Sequence, residues 1–261
     1  MTTDTLTKNK HIALWTCPRS RSTLITRAFE QLDGCIVFDE PLYGAYLLTH
    51  GFDHPHRQEM MDYCESNYQK VIQKITGDLP NGGSFSFQKH ISKHALPEFG
   101  QNWLKSLHNF FLIRNPKEIA VSWHKVYGKV TKHDLGMVEN YKMFKEIEAL
   151  TGTKPLVIDS TDFVKNPKKV LNILCSHLGL EFSEKMLSWQ PGLKNSQLLF
   201  TAALSSFAPT WYSTVMNSSG FIPYEEKQVN LPSEFKALVE ECQPFYEEMY
   251  QYRLIVEDAS S

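Results

Sequence analysis

Residues 11–23 constrain the fold of this 261-residue chain more than any other stretch: His11-Ile12-Ala13-Leu14-Trp15-Thr16-Cys17-Pro18-Arg19-Ser20-Arg21-Ser22-Thr23. His11 to Cys17 is an apolar run with β-branched and aromatic residues and no helical period. That reads as a strand buried on both faces, the kind found in parallel sheets flanked by helices. A short cationic turn follows. Leu24, Ile25, Ala28, Phe29 and Leu32 then recur at helical spacing. Buried strand, cationic loop and amphipathic helix therefore come in that order.

The loop has a chemical use. The first N–H groups of a helix have no partner within it and carry the positive end of its dipole, so an anion there meets ready donors. Arg19 and Arg21 add charge and forked donors matched to phosphate or sulfate oxygens. Ser20, Ser22 and Thr23 add hydroxyls. The stretch reads as a site for a phosphate-like group rather than as a turn in which serine merely caps a helix. It is not a Walker A loop: no glycine lies between Ile12 and Asp33, and no Gly-Lys-Ser/Thr closes it. Magnesium-dependent ATP or GTP hydrolysis is therefore disfavoured.

The other apolar runs repeat the pattern. Cys35–Phe38, Ser84–His90, Asn109–Ile113 and Pro155–Asp159 read as strands. Arg57–Thr76, Lys117–Lys125, Leu135–Leu150, a stretch from about Asn166 to Leu178, and Pro232–Arg253 read as helices. Alternating strands and helices imply βαβ units: an α/β, three-layer sandwich around a parallel sheet. The length suits one domain over 1–261. Residues 1–10 and 257–261 are expected as frayed tails, and 188–224 as a lid or acceptor-binding region in which Trp211, Tyr212 and Phe221 either line a pocket or form satellite core.

Several strand ends carry chemistry. Ligands in such folds bind where parallel strands end. Glu40 follows the second strand and is a candidate acid, base or acceptor-orienting group, or else a turn carboxylate before Pro41. Lys89, His90, Lys93 and His94 cluster after the third strand. A histidine there can take a proton, and Lys89 can neutralise a leaving group. Arg114 ends the fourth strand. Asn115 is a good N-cap and Pro116 a good first helical residue. Ser122, about two turns on, shares the face Arg114 approaches. Two separated anion points suggest a ligand with two phosphate-like ends.

With 27 Lys and Arg against 29 Asp and Glu, the net charge is −2. No global basic field favours nucleic acid or an anionic membrane. No apolar run of about 18 residues suggests a membrane span, and Met1–Lys10 has no signal core. The five cysteines are odd in number and show no Cys-x-x-Cys, so a reducing, cytoplasmic setting is expected. Cys17 is either a reactive thiol at a helix start or a buried filler. His50, His54 and His56, interrupted by Pro55, read as a loop and not as a metal site.

Pro18-Arg19-Ser20-Arg21-Ser22-Thr23 resembles the 5′-phosphosulfate loop of the sulfotransferase superfamily. Arg114 and Ser122, within Ile113-Arg114-Asn115-Pro116-Lys117-Glu118-Ile119-Ala120-Val121-Ser122-Trp123, resemble its 3′-phosphate motif. Phe163-Val164-Lys165-Asn166-Pro167 with Leu178-Gly179-Leu180, and more weakly Trp211 with Ser219-Gly220-Phe221, are similar to its downstream regions. The resemblance implies a P-loop-NTPase-like fold and the donor 3′-phosphoadenosine 5′-phosphosulfate (PAPS). It implies sulfuryl transfer to an alcohol or amine, release of 3′-phosphoadenosine 5′-phosphate (PAP), and no metal. It assigns Arg19, with Ser20, Arg21, Ser22 and Thr23, to the 5′ group, and Arg114 and Ser122 to the 3′-phosphate. It leaves the base among His90, His94 and Glu40. Two positions depart from the family: Arg21 stands where glycine is usual, and Leu24 where many members place a tryptophan that stacks on adenine.

The expected acceptor is a small metabolite or natural product. A nucleotide-dependent phosphotransferase and a non-catalytic nucleotide-binding module are the alternatives. A homo-oligomer stays open.

Overall fold

The most apolar runs become five short strands of one parallel sheet. They are β1 (Lys10–Thr16), β2 (Cys35–Asp39), β3 (Phe85–Ile91), β4 (His108–Ile113) and β5 (Leu156–Asp159). Their spatial order is β2-β3-β1-β4-β5, and every neighbouring pair is parallel. The structure is a computed structural model that describes residues 10–51, 57–192, 217–226 and 228–256.

Helices cover both faces, which is why the strands carry apolar residues at consecutive positions. The helices are α1 (Ser22–Phe29), α2 (Tyr43–His50), α3 (Arg57–Tyr63), α4 (Tyr68–Thr76), α5 (Pro116–Tyr127), α6 (Lys132–Leu135), α7 (Met137–Thr151), α8 (Ser160–Lys165) and α9 (Pro167–His177), with a closing helix at Lys236–Tyr250. On one face, Ile12, Leu14, Phe87, Phe110 and Leu112 pack with Ile25 and Phe29 of α1, Phe163 of α8 and Leu171 of α9. On the other, Ala13, Trp15 and Phe111 pack with residues of α2, α4, α5, α7 and the closing helix. Each large side chain buried in these layers is worth about 1.5–3 kcal/mol relative to exposure.

Local signals set the boundaries. Asn115 accepts from Lys117 N and Pro116 takes the first position of α5. The single helix expected over Arg57–Thr76 is two, because Asn67 caps α4 by accepting from Lys70 N. The apolar stretch after Pro41 is helical, as α2. Lys10, expected in the frayed tail, opens β1, and its ammonium donates to Leu178 O at 2.6 Å. The remaining tail residues and most of 188–224, including Trp211 and Tyr212, lie outside the described residues. Among those described, no helix is long and apolar enough to cross a membrane.

Topology positions the site. The chain leaves β1 through α1 toward β2, and leaves the adjacent β4 toward β5 on the opposite side. α1 and α5, the helices that follow these two strands, pack on opposite faces. A crevice opens where such connections diverge, at the carboxyl ends of the strands. Its lips are the Arg19 loop and Arg114.

Candidate active site

The loop after β1 is strained. Arg19 and Arg21 have φ of 61° and 65°, left-handed conformations that cost a residue with a Cβ roughly 1–3 kcal/mol. Arg21 thus adopts the backbone that glycine would take freely. Contacts hold the loop in place. Arg114 Nη1 donates to Arg19 O at 2.6 Å. Pro18 packs against Gly136, where a Cβ would stand 3.1 Å from Pro18 Cδ. No side chain caps α1, and its first residues, Ser22 and Thr23, line the crevice. Ser20 Oγ is buried without a hydrogen-bond partner among the described residues. An orphaned hydroxyl beside open helix amides fits an oxyanion ligand.

The second anion point joins the first through Glu118. Its Oε2 accepts from Arg114 Nε at 2.9 Å, lies 2.8 Å from Arg114 Nη2, and accepts from Arg21 Nη2 at 3.0 Å. Arg19 Nε donates to Ser122 Oγ at 3.3 Å. Arg19, Arg21, Arg114 and Ser122 are therefore one assembly. Burial, with Arg21 alongside, lowers the Arg114 pKa from its ordinary value. Ser22 and Thr23 line the same wall.

Across the crevice, Lys89 Nζ lies 2.5 Å from Asp39 Oδ1 and 2.9 Å from Glu40 Oε1. Glu40 also has a positive φ, 50°, and its N–H donates to Lys89 O at 2.8 Å. Burial raises the Glu40 pKa, against the pull of Lys89. His94 lies with Nδ1 3.8 Å from Glu40 Oε2. Its ring rests between Tyr43 and Tyr46, with centroids 4.8 and 4.6 Å away. Burial, then Lys93 and Lys89, hold its pKa well below 6.5. His94 is thus a buried imidazole on the cleft wall, beside the Glu40 carboxylate.

His90 is not brought into this group. It stacks on Trp15 at 4.4 Å, lies 3.2 Å from Gln88 Oε1 through Nε2, and does not border the cleft. Burial lowers its pKa to about 3. The reason is the period of two along a strand: His90 shares a face with Ser86 and Gln88, opposite the face of Lys89. Cys17 is likewise core, and burial pushes its thiol pKa up.

The Arg19 loop, Arg114, Glu40, Lys89 and His94 line a cleft of about 1470 Å³. Pockets for a single small ligand run to about 300–1,000 Å³, so the cleft exceeds what one such ligand needs. It follows α5. Glu118 and Ser122 border it near Arg114, and Lys125, Tyr127 and Lys129 lie farther along. From Glu118 to Lys125 the helix rises roughly 10 Å at 1.5 Å per residue. Glu40, Tyr43, Tyr46, Lys89, Lys93, His94 and His133 complete the far wall. Leu24, Val164 and Phe221 add apolar surface.

A protein-family model described as a sulfotransferase domain matches residues 10–253. The chain belongs to the sulfotransferase family. Its curated relatives include "Branched-chain-amino-acid aminotransferase-like protein 2" of Arabidopsis thaliana, 33% identical over 235 residues, which are 90% of this chain and 40% of that protein. The chain thus spans about 40% of the length of the curated relatives it matches. Among solved structures, the sulfotransferase domain of the Synechococcus PCC 7002 olefin synthase is 17% identical with a TM-score of 0.48, covering 95% of this chain and 97% of that one. A sulfotransferase from Alicyclobacillus acidocaldarius is 13% identical with a TM-score of 0.49, covering 80% and 96%.

Glu118 is not among the site residues expected from the sequence, although a signal for it is present there. Arg114, Glu118 and Ser122 recur every four residues, so they share one helix face. Candidate pocket aromatics are expected in the last third. Phe221 does line the cleft, but Tyr43, Tyr46, Trp123 and Tyr127 come from α2 and α5.

Proposed function

We propose that this sulfotransferase domain moves a sulfuryl group from PAPS to a hydroxyl or amine of a small molecule and releases PAP, without a metal. One observation carries the reading: Arg19, Arg21 and Arg114 are cross-braced at the crevice between β1 and β4, and His94 borders the same cleft beyond them.

The roles follow from the chemistry of each group. The α1 amides, Arg19, Ser20, Ser22 and Thr23 hold the 5′ phosphosulfate. Arg114 and Ser122 hold the 3′-phosphate, Arg114 with charge-assisted donors, and Arg21 stays with the 5′ group while Glu118 ties it to Arg114. Leu24 and Phe221 offer the adenine apolar surface in place of the family's tryptophan. His94 accepts the acceptor's proton, and Glu40 steadies the imidazolium that forms. The acceptor's oxygen or nitrogen forms the new bond to sulfur as the bond from sulfur to the bridging phosphate oxygen breaks. The negative charge left on that oxygen is balanced by Arg19, Lys89 and the helix start. As in phosphoryl transfer, positioning and charge stabilisation supply most of the catalysis.

Calorimetric titration with PAP, against ATP, in buffer with EDTA tests the donor. Metal-free PAP binding that is much tighter than ATP binding supports the reading. ATP binding that appears only with magnesium overturns it in favour of a phosphotransferase. PAP binding with no transfer from PAPS to any acceptor leaves a nucleotide-binding module.

A further inference from the structure

The half of the cleft beyond Ser122 contains groups that the donor assignment does not use. Its walls are aromatic: Tyr43, Tyr46, Trp123 and Tyr127. Lys93, Lys125 and Lys129 also border it. None of the three forms an ion pair with a carboxylate among the described residues. Glu40, Asp134 and Glu139 act on Lys93 only from beyond ion-pair distance, and each has a closer partner. Glu40 holds Lys89, Asp134 accepts from Thr131 N and Oγ1 at 2.8 and 2.7 Å, and Glu139 faces His133 at 3.4 Å.

Lys93 is the most enclosed of the three lysines. Its stem passes Gly136, its ammonium lies 5.4 Å from the centroid of the Trp123 ring, and it donates to His133 O at 3.2 Å. One carbonyl leaves two of its three N–H donors for other partners. Burial lowers its pKa, while Asp134, Glu139 and Glu40 act in the opposite direction. An enclosed ammonium is stabilised when an anion joins it. A cationic alkylamine entering here would instead meet three lysines.

Resting on the sulfotransferase reading above, we propose that the acceptor is a small hydroxyl compound with a flat aromatic body and an anionic group. The body lies against Tyr43, Tyr46 and Trp123, where ring faces give apolar area and stacking. The anionic group, a carboxylate in the simplest case, pairs with Lys93. The hydroxyl faces His94, which takes its proton as the oxygen bonds to sulfur.

The test uses matched probes: para-hydroxyphenylacetate and para-hydroxyphenylpropionate, each against its primary amide. Binding is read from tryptophan fluorescence with and without PAP, and transfer with radiolabelled PAPS. Wild type is expected to bind the acids about ten- to hundredfold tighter than the amides, the range for a hydrogen bond to a charged group. Lys93→Met keeps the aliphatic stem and is expected to abolish that preference. It should leave amide binding and PAP binding unchanged, and Lys93→Arg should restore the preference. Equal binding of acid and amide, no binding of either, or equal slowing of both by Lys93→Met overturns the proposal. The last outcome would place Lys93 on the transferring group instead. Loss of PAP binding overturns the donor reading alone, because the fluorescence comparison without nucleotide still decides the acceptor.

Discussion

The two ends of the cleft hold positive charge in different ways. At the Arg19 end the cations are arginines, and each is tied to the protein. Arg21 and Arg114 share one oxygen of Glu118, Arg114 reaches the Arg19 carbonyl, and the backbone is held in left-handed turns. At the Lys93 end the cations are lysines on flexible stems among aromatic rings; Lys89 is held by Asp39 and Glu40, while Lys93, Lys125 and Lys129 have no ion-paired carboxylate among the described residues. Rigid forks suit a ligand whose phosphate geometry never changes, and point charges suit one recognised by charge and shape. The contrast teaches that strain and cross-bracing are concentrated where one geometry must be reproduced.

The largest effect should come from the junction of the two ends. His94→Ala is expected to lower kcat by about 10²–10⁴-fold, the usual contribution of a positioned base. Calorimetry should find PAP affinity unchanged. If kcat survives, Glu40 is the next base, and Glu40→Gln should then show the loss.

Arg114→Ala attacks the braced end. Removing a charge-assisted contact costs about 1.5–3 kcal/mol, so PAP should bind about ten- to hundredfold more weakly in a titration. The affinity of the fluorescence probes measured without nucleotide should stay the same. A variant that weakens both ligands equally would break the division into two ends.

A pH titration separates the two neighbouring histidines. His90 and His94 are both held below 6.5 by burial, so the unfolded chain binds more protons as the pH falls below that value. Stability is therefore full above pH 6.5 and declines on acidification. Each extra proton contributes a slope of about 1.4 kcal/mol per pH unit. His90→Gln should flatten denaturation midpoints between pH 6 and 4 by about one proton's worth, as flagged by that slope, without changing PAP affinity. Midpoints with the wild-type slope would mean that His90 is not held neutral.

The smallest effect comes from Arg21→Gly. It removes one guanidinium and relieves one left-handed residue. PAP affinity should drop about tenfold, while stability rises by up to about 1 kcal/mol. Thermal unfolding should therefore begin roughly 2–4 °C higher. A fall in stability would show that the Arg21–Glu118 pair outweighs the strain.

Much of the Arg19 end is legible in the sequence because its signals are local. The apolar run of β1, the cationic loop and the period of α1 sit next to one another, and Arg114, Asn115 and Pro116 mark a strand-to-helix junction within three residues. The acceptor end was less legible. Tyr46, Lys93 and Trp123 meet only because α2, the turn after β3 and α5 converge at one sheet edge. Nothing near any one of them in the chain announces the others. His90 and His94 were equivalent as residue types, and only their directions distinguish them. The alternation of β3 turns His90 into the core beside Trp15, and the turn after the strand brings His94 round to the cleft.

The sequence by itself determined the α/β class and the strand-to-helix junctions that carry Arg19, Arg21 and Arg114, since each depends on contacts among residues a few positions apart. Tertiary structure alone decided that Arg19 reaches Ser122 across 103 residues, that one carboxylate braces two arginines, and that the cleft continues into an aromatic, lysine-lined chamber. Those outcomes depend on strand order and on which face each helix covers. Both are settled by burying apolar surface on two sides of one sheet, a global balance that no short window of residues contains.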